Sequence, residues 1–462
     1  MKVGLLPLYL KLYDDTVASM RTRIEAFLGK ITQSLSAHGF ELIVAPICRE
    51  KAEFAASVTS FENQDALAII TLHLAYSPSL ESIEALASSK LPLLVLNTTE
   101  NYEFDNSVNA SEIMYNHGIH GVQDMCNMLR RHGKSFQVFA GHYEHSDVLS
   151  RIAAYCRGIK IAHDFRNAKI GLVGEPFRGM GDFQVPFIEL KNDLNIDVIH
   201  YDFDEAKAHI TDLDENVITT ERTEDERMFD WDECVTDGIY ARSVRVGLAL
   251  RKWVEEKSLT GLSVNFLETE KGHLGLSIMP FVECSKAMMR GIGYSGEGDV
   301  LTAALCGAVL QTFENTTFTE MFCPDWKGGS VFLSHMGEFN YKICSGKPRL
   351  TEKDFPFTSA ENPTVAYGTY MEGESVLINL LPMGAGKYAL ILAPGKVLAP
   401  RGENNMKESV NGWFKPDAEL EVFLEEYSKK GGTHHALLSY GDCLEAMTSF
   451  AAVMGFDCFI LR

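Results

Sequence analysis

Gly291-Ile-Gly-Tyr-Ser-Gly-Glu-Gly-Asp299, an apolar run, Thr316-Thr-Phe-Thr-Glu320 and Val331-Phe-Leu-Ser-His-Met-Gly-Glu338 follow one another in a short span of the chain. The span decides the fold because the hydrophobic pattern changes inside it. Upstream of Glu314, strand-like and helix-like runs alternate. Downstream, helices become rare and short β-rich runs appear at 317–322, 330–335, 364–370, 375–381 and 386–394, separated by glycine and proline. Asp299 fits the N-cap of a helix over about 300–313, with Leu301, Ala304, Leu305 and Val309 as its apolar face. Glu297 stands between Gly296 and Gly298, whose missing side chains free the backbone and let another group approach closely. This carboxylate is therefore presented at a helix start, while His335 ends a strand-like run where a strand meets a cleft or solvent.

Working back to the N-terminus, an apolar first strand at 2–10 is followed by a helical pattern at 17–38, stopped by Gly39, and a strand at 41–46. Strand patterns at 66–72, 93–96 and 136–140 alternate with helical patterns at 80–89 and 111–131. Such alternation predicts a parallel sheet covered by helices, with ligands gathering at the carboxyl ends of its strands, where His73, Asn97 and the loop 141–145 fall. A helix over about 146–163 leads to a second α/β unit that opens with a strand at 169–173. The glycine-rich Gly174-Glu-Pro-Phe-Arg-Gly-Met-Gly-Asp182 follows it, but lacks a nucleotide-binding spacing and carries Pro176, so it reads as a turn close to a ligand or a neighbouring element. The acidic stretch 202–230 reads as solvated helix and loop, 236–256 as a long helix, 262–266 as a strand, and 441–454 and 456–461 as a closing helix and strand. The expected fold class is α/β: two doubly wound parallel-sheet domains, 1–166 and 167–316, followed by a mainly antiparallel β domain, 317–462.

The chain has 462 residues, 46% hydrophobic and 23% charged, which suits a globular protein of about three domains. Its 63 acidic against 42 basic residues give a formal charge of -21, which opposes attraction to nucleic acid or an anionic membrane. The ten cysteines are scattered with no Cys-x-x-Cys pair, several in apolar runs, and read as reduced, mostly buried thiols. With no signal-like N-terminus and no apolar stretch of membrane-spanning length, the expected location is the cytoplasm.

Glu297, Glu320, His335 and, far downstream, the His-His of Gly431-Gly-Thr-His-His435 make up an oxygen and nitrogen set without thiolates. Such a set suits a divalent ion such as Mn²⁺ in a catalytic site with open positions and argues against a structural zinc site. Helix-capping acids and hydrogen-bonded strand-end histidines would give the same residue types without any metal.

Four segments resemble the L-arabinose isomerase family, within the wider arabinose/fucose isomerase superfamily. They are Gly293-Tyr-Ser-Gly-Glu-Gly-Asp299 with Thr302-Ala-Ala-Leu305 after it, Thr316-Thr-Phe-Thr-Glu320, Leu333-Ser-His-Met-Gly-Glu338 and Gly431-Gly-Thr-His-His435, in the family's order. The resemblance implies a metal-dependent isomerase that interconverts an aldose and a ketose through an enediolate. It implies Glu297, Glu320, His335 and His435 as ligands of a divalent metal, Mn²⁺ foremost, and Glu297 and Glu320 as the catalytic acid/base pair. It also implies a homo-oligomer, a hexamer in the family, with active sites shared between subunits. The segment Asn116-His-Gly-Ile-His-Gly121 is similar to the family's Asn-Gln-x-Ala-His-Gly, which implies that His120 contacts sugar. His117 stands where the family has glutamine and reads equally well as a helix-surface residue. His434 and Phe266 complete the expected sugar-binding set, although adjacent strand residues such as His434 and His435 point to opposite faces.

The substrate is expected not to be L-arabinose. The family's polar Ser-Gln-His-Leu-Tyr-Gly-like loop is replaced by Leu6-Pro-Leu-Tyr-Leu-Lys-Leu-Tyr-Asp14, whose nearest polar candidates are Lys11, Tyr13 and Asp14. Two other readings stay open: a metal-dependent isomerase or lyase acting on a sugar acid, and a non-catalytic sugar-binding protein that closes two α/β domains on its ligand. Retention of both glutamates argues against the second of these.

Overall fold

A computed structural model describes residues 1–273 and 275–462, which divide into two units, Met1–Lys160 and Ile161–Arg462. In the first unit, β1 (Lys2–Leu8), β2 (Glu41–Val44), β3 (Ile69–His73), β4 (Leu93–Asn97) and β5 (Phe136–Ala140) form a five-stranded sheet in the order β2-β1-β3-β4-β5. Every pairing is parallel. Central β1, β3 and β4 are almost wholly buried, as continuous apolar runs covered on both faces must be. The helix Gly118–Arg131 packs on β3 and β4 with Gly118 and Gly121 against His73; a Cβ at Gly121 would stand 2.3 Å from the His73 ring.

The second unit begins with another all-parallel sheet, made of β6 (Lys169–Val173), β7 (Asp197–His200), β9 (Gly261–Val264) and β10 (Gly293–Gly296) in the order β10-β9-β6-β7. A small sheet joins β8 (Asp230–Trp231) to β13 (Arg349–Glu352) and β14 (Thr364–Tyr367). The rest is antiparallel: β11 (Thr316–Asp325), β12 (Ser330–Ser334), β15 (Gly373–Gly384), β16 (Lys387–Leu398), β17 (Gly412–Pro416) and β18 (His435–Tyr440). These six close into a barrel, because β15 pairs with both β18 and β16, and β19 (Asp457–Ile460) adds to β16 in parallel. The fold class is thus two parallel α/β sheets followed by an antiparallel β barrel.

One helix ties the second sheet to the barrel. Val300–Leu310 is buried at every position and touches β6, β9 and β10 on one side and β11, β15 and β18 on the other. An all-apolar helix is stable only when covered all round, which explains why no polar face interrupts this run. Gly293 and Gly307 permit the close approach: a Cβ on Gly293 would lie 2.2 Å from the Ala303 carbonyl oxygen, and one on Gly307 2.4 Å from that of Thr260.

Several expectations change. The acidic stretch 202–230 forms two helices, Phe203–Thr211 and Glu215–Met228, and the second is not simply solvated. Its Glu221 and Asp225 are buried and paired with Lys286, Glu221 also with Arg251 at 2.6 Å, because this helix packs against Asp237–Glu256. Strands β13, β17 and β18 and the helix Leu420–Lys429 were not anticipated; short strands closing a barrel carry little period of their own. All ten cysteines are free, five of them buried. Among the described residues no helix is long and apolar enough to cross a membrane.

Candidate active site

Glu297 follows β10 at the carboxyl end of the second parallel sheet, where the strand turns into the buried helix. Its own φ is +62° and that of Gly298 is +84°, so a carboxylate occupies a left-handed position that non-glycine residues seldom adopt. The surroundings enforce it. The Glu297 amide donates to Val264 O at 2.9 Å, and its carbonyl accepts from the Phe177 amide at 2.8 Å. A Cβ on Gly298 would lie 2.5 Å from Pro176 Cα, so the glycine-rich loop 174–182 does pass close to this turn.

Glu320 and the histidines come from the barrel. Antiparallel register places Glu320 of β11 opposite His435 of β18 and opposite Ser334 of β12, one residue before His335. One side-chain atom each from Glu297, Glu320, His434 and His435 lie within 4.8 Å of one another. His335 is buried beside them, with Nε2 3.7 Å from Glu320 Oε1. His434 shares the site with its neighbour, against the strand-alternation argument, because it precedes the first residue of β18 and is not bound by its pleat.

Each imidazole is held by its other nitrogen. His435 Nδ1 lies 2.9 Å from Asp299 Oδ2, His335 Nδ1 2.6 Å from Glu338 Oε2, and His434 Nδ1 2.7 Å from Asp182 Oδ2. All three therefore aim Nε2 at the glutamates: His435 Nε2 is 3.0 Å from Glu320 Oε1 and 3.4 Å from Glu297 Oε2, and His434 Nε2 is 3.7 Å from Glu297 Oε2. Phe183 stacks on His435 at a 4.9 Å centroid separation and 12° tilt, and the Phe318 ring meets both His335 and His435 edge-on. Asp299 also does what the sequence suggested, since its Oδ1 accepts from the Thr302 amide and caps the helix.

The electrostatics follow from burial opposed by opposite charge. Burial alone would raise the Glu297 carboxyl, but the imidazoles of His434 and His435 outweigh it and hold the group at about 2. Burial would lower His435, yet Asp299, Glu297 and Glu320 drive it well above its ordinary value; His335 is raised against its burial by Glu338. Two carboxylates this close demand positive charge between them. Among the described residues, the buried Glu297 Oε2 and His435 Nε2 have no aligned hydrogen-bond partner. Two carboxylates with imidazoles oriented through carboxylates form a donor set that fits a divalent cation.

The remaining nominated residues lie apart in the chain. Phe266 is half-buried in an aromatic group with Phe177 and Phe357. His117 and His120 belong to the first unit. His120 is exposed, while His117 Nε2 lies 2.8 Å from the Tyr13 hydroxyl. Sequence reasoning did not assign roles to Asp182, Glu338 or Phe183. Glu338 stood in the quoted histidine motif at i+3, but nothing local marked Asp182 as a partner of His434.

Family models of the L-arabinose isomerase N-terminal, central and C-terminal domains match residues 9–167, 187–314 and 315–457 in that order. Proteins named L-arabinose isomerase from Geobacillus kaustophilus and Bacillus licheniformis are 23% and 24% identical over 411 residues, covering 87% of this chain and 82% and 81% of theirs. A relative of the same name from Shouchella clausii is 21% identical over 467 residues, covering 99% of this chain and 93% of its own. With all three domains matched in order along nearly its whole length, the chain belongs to the L-arabinose isomerase family.

Proposed function

We propose that this protein is a divalent-metal-dependent aldose–ketose isomerase acting on a sugar other than L-arabinose. The observation that carries the reading is the convergence of Glu297 and Glu320, from two different sheets, on carboxylate-oriented imidazoles. Family membership supplies the reaction class. Glu297, Glu320, His435 and His335 would hold the ion. We choose His335 over His434 because it is buried, whereas His434 keeps 38% of its side-chain surface exposed.

A bound Mn²⁺ would supply Lewis-acid stabilisation of the charge that develops on the sugar oxygens. The chain's own residues handle the proton. Isomerisation takes a proton from the carbon beside a carbonyl and returns one to the adjacent carbon, a task for two positioned acid/base groups. Glu297 and Glu320 are that pair. His434, held by Asp182, is placed to donate a hydrogen bond to a sugar hydroxyl or to the carboxylates, and Phe183, stacked on His435, keeps water from the reacting carbons. In an assembled oligomer, we propose, His120 of one subunit completes the site of another.

Support for a shifted substrate comes from the first unit. The polar side chains after β1 are already engaged: Lys11 pairs with Glu50 at 2.6 Å, Asp14 with Arg21 and Arg49, and Tyr13 with His117. Sites that hydrogen-bond particular hydroxyls reject analogues strongly, by about 10⁴-fold in good cases, so exchanging these groups moves specificity. The test is a panel of aldoses, ketoses and sugar acids incubated with Mn²⁺ in D₂O. Deuterium at C2 of a sugar other than L-arabinose, abolished by Glu320→Gln, is expected. L-Arabinose giving the highest kcat/KM would refute the specificity, and no exchange with any sugar would refute the isomerase. Metal content after Mn²⁺ loading should fall in His335→Ala and persist in His434→Ala; the reverse would exchange their roles.

A further inference from the structure

A second group of metal-type ligands stands in the first unit and shares no residue with the Glu297 site. After β5 the chain turns through Gly141-His-Tyr-Glu-His-Ser146. Tyr143 points inward: it is buried, its ring meets Phe27 at 5.7 Å, and its amide donates to Thr98 Oγ1 at 3.1 Å. The Ser146 hydroxyl closes the turn by donating to His142 O at 2.8 Å, and a Cβ at position 141 would stand 2.4 Å from Ser146 Oγ. With Tyr143 inward, Glu144 and His145 are left exposed and His142 half-buried, and one ligand atom from each of these three residues lies within 4.8 Å of the other two.

The side chains are poised rather than consumed. Among the described residues, His145 makes only ring contacts: Tyr102 at 4.2 Å and His142 at 4.9 Å. His142 is engaged by two long bonds, Nδ1 accepting from the Glu144 amide at 3.2 Å and Nε2 donating to Glu100 O at 3.3 Å. Binding an ion would cost one of these. Metal–ligand bonds of about 2.0–2.2 Å bring donor atoms to roughly 3–3.5 Å of one another, a closure that exposed side chains reach by rotation. Two imidazoles and one carboxylate favour Zn²⁺, Ni²⁺ or Cu²⁺ over Mn²⁺ or Mg²⁺, which prefer oxygen. The net charge of -21 adds attraction for any cation.

We propose that His142, Glu144 and His145 form a second divalent-cation site that takes imidazole-preferring ions such as Zn²⁺, with Tyr102 packed over it. The metal preferences of the two sites differ, so the protein would carry two ions of different chemistry.

The experiment uses the full chain, stripped with chelator, in the Glu297→Gln/Glu320→Gln/His434→Ala/His435→Ala background so that the first site is disabled. Titration calorimetry with Zn²⁺ should show one equivalent bound. Adding His142→Ala/His145→Ala should weaken that event at least tenfold, and Glu144→Gln alone should weaken it several-fold; these residues are mostly exposed, and circular dichroism verifies the fold. X-ray absorption at the zinc edge should show imidazole scattering and no sulfur. Binding unchanged by the histidine substitutions, no binding in the background variant, or sulfur in the first shell, pointing to the exposed Cys234 or Cys323, would each overturn the proposal.

Discussion

Asp299 carries two tasks on two oxygens, capping a helix with Oδ1 and holding the His435 imidazole with Oδ2. Substitution separates them. Asparagine caps about as well as aspartate, so Asp299→Asn should keep the cap and lose only the charge that faces His435, whereas Asp299→Ala should lose about 1 kcal/mol more with the cap. Both should weaken Mn²⁺ binding, by about 10- to 100-fold, as loss of a partner behind a ligating histidine does; titration calorimetry beside thermal denaturation reads the two effects apart. His73 is a residue of the opposite kind. It is buried in β3 with neither ring nitrogen hydrogen-bonded among the described residues, and burial lowers it to about 3. Between pH 6.5 and 3 the unfolded chain binds a proton there and the folded chain does not, so stability is full above pH 6.5 and falls as pH drops. The loss by pH 5 should be on the order of 2 kcal/mol, and His73→Asn should flatten that limb of a urea-denaturation series against pH.

At the scale of elements, three helices of the second unit are joined by buried charge. Lys286, on the helix Phe281–Met289, meets Glu221 and Asp225 of Glu215–Met228, while Arg251 of Asp237–Glu256 meets both Glu221 and Glu283. Burial alone would raise Glu221, but Arg251 and Lys286 hold it at about 2, whereas burial outweighs Lys286 at Asp225 and raises that carboxyl. Removing one cation leaves carboxylates buried without compensation. Lys286→Ala should therefore cost about 3–5 kcal/mol in urea denaturation. Its exposed counterpart, the Lys51–Glu84 pair, is worth no more than about 1 kcal/mol, so Lys51→Ala serves as the control.

At the scale of the whole molecule, the cluster of Glu297, Glu320, His434 and His435 lies entirely in Ile161–Arg462, while His117 and His120 belong to Met1–Lys160. If active sites are shared between subunits, two inactive variants should rescue each other. Mixing Glu297→Gln chains with His120→Ala chains under conditions of subunit exchange should restore a fraction of wild-type activity. An active monomer in sedimentation, or two variants that stay inactive when mixed, would rule out a shared site.

What the sequence determined by itself is what depends on near neighbours. Period-2 and helical patterns, read with glycine and proline punctuation, specified two α/β sheets and a β domain, because burial of one face imposes those periods locally. The glycines around Glu297 marked a special backbone, and the structure shows φ of +62° there. Family motifs nominated both glutamates and the histidines. Tertiary structure decided what depends on pairing between distant segments. Barrel register alone sets Glu320 against His435, and only the folded loop 174–182 brings Asp182 to His434. Composition likewise pointed to solvated acids at 202–230, yet Glu221 and Asp225 are buried, because their cationic partners lie on other helices and no local pattern reports a partner far along the chain.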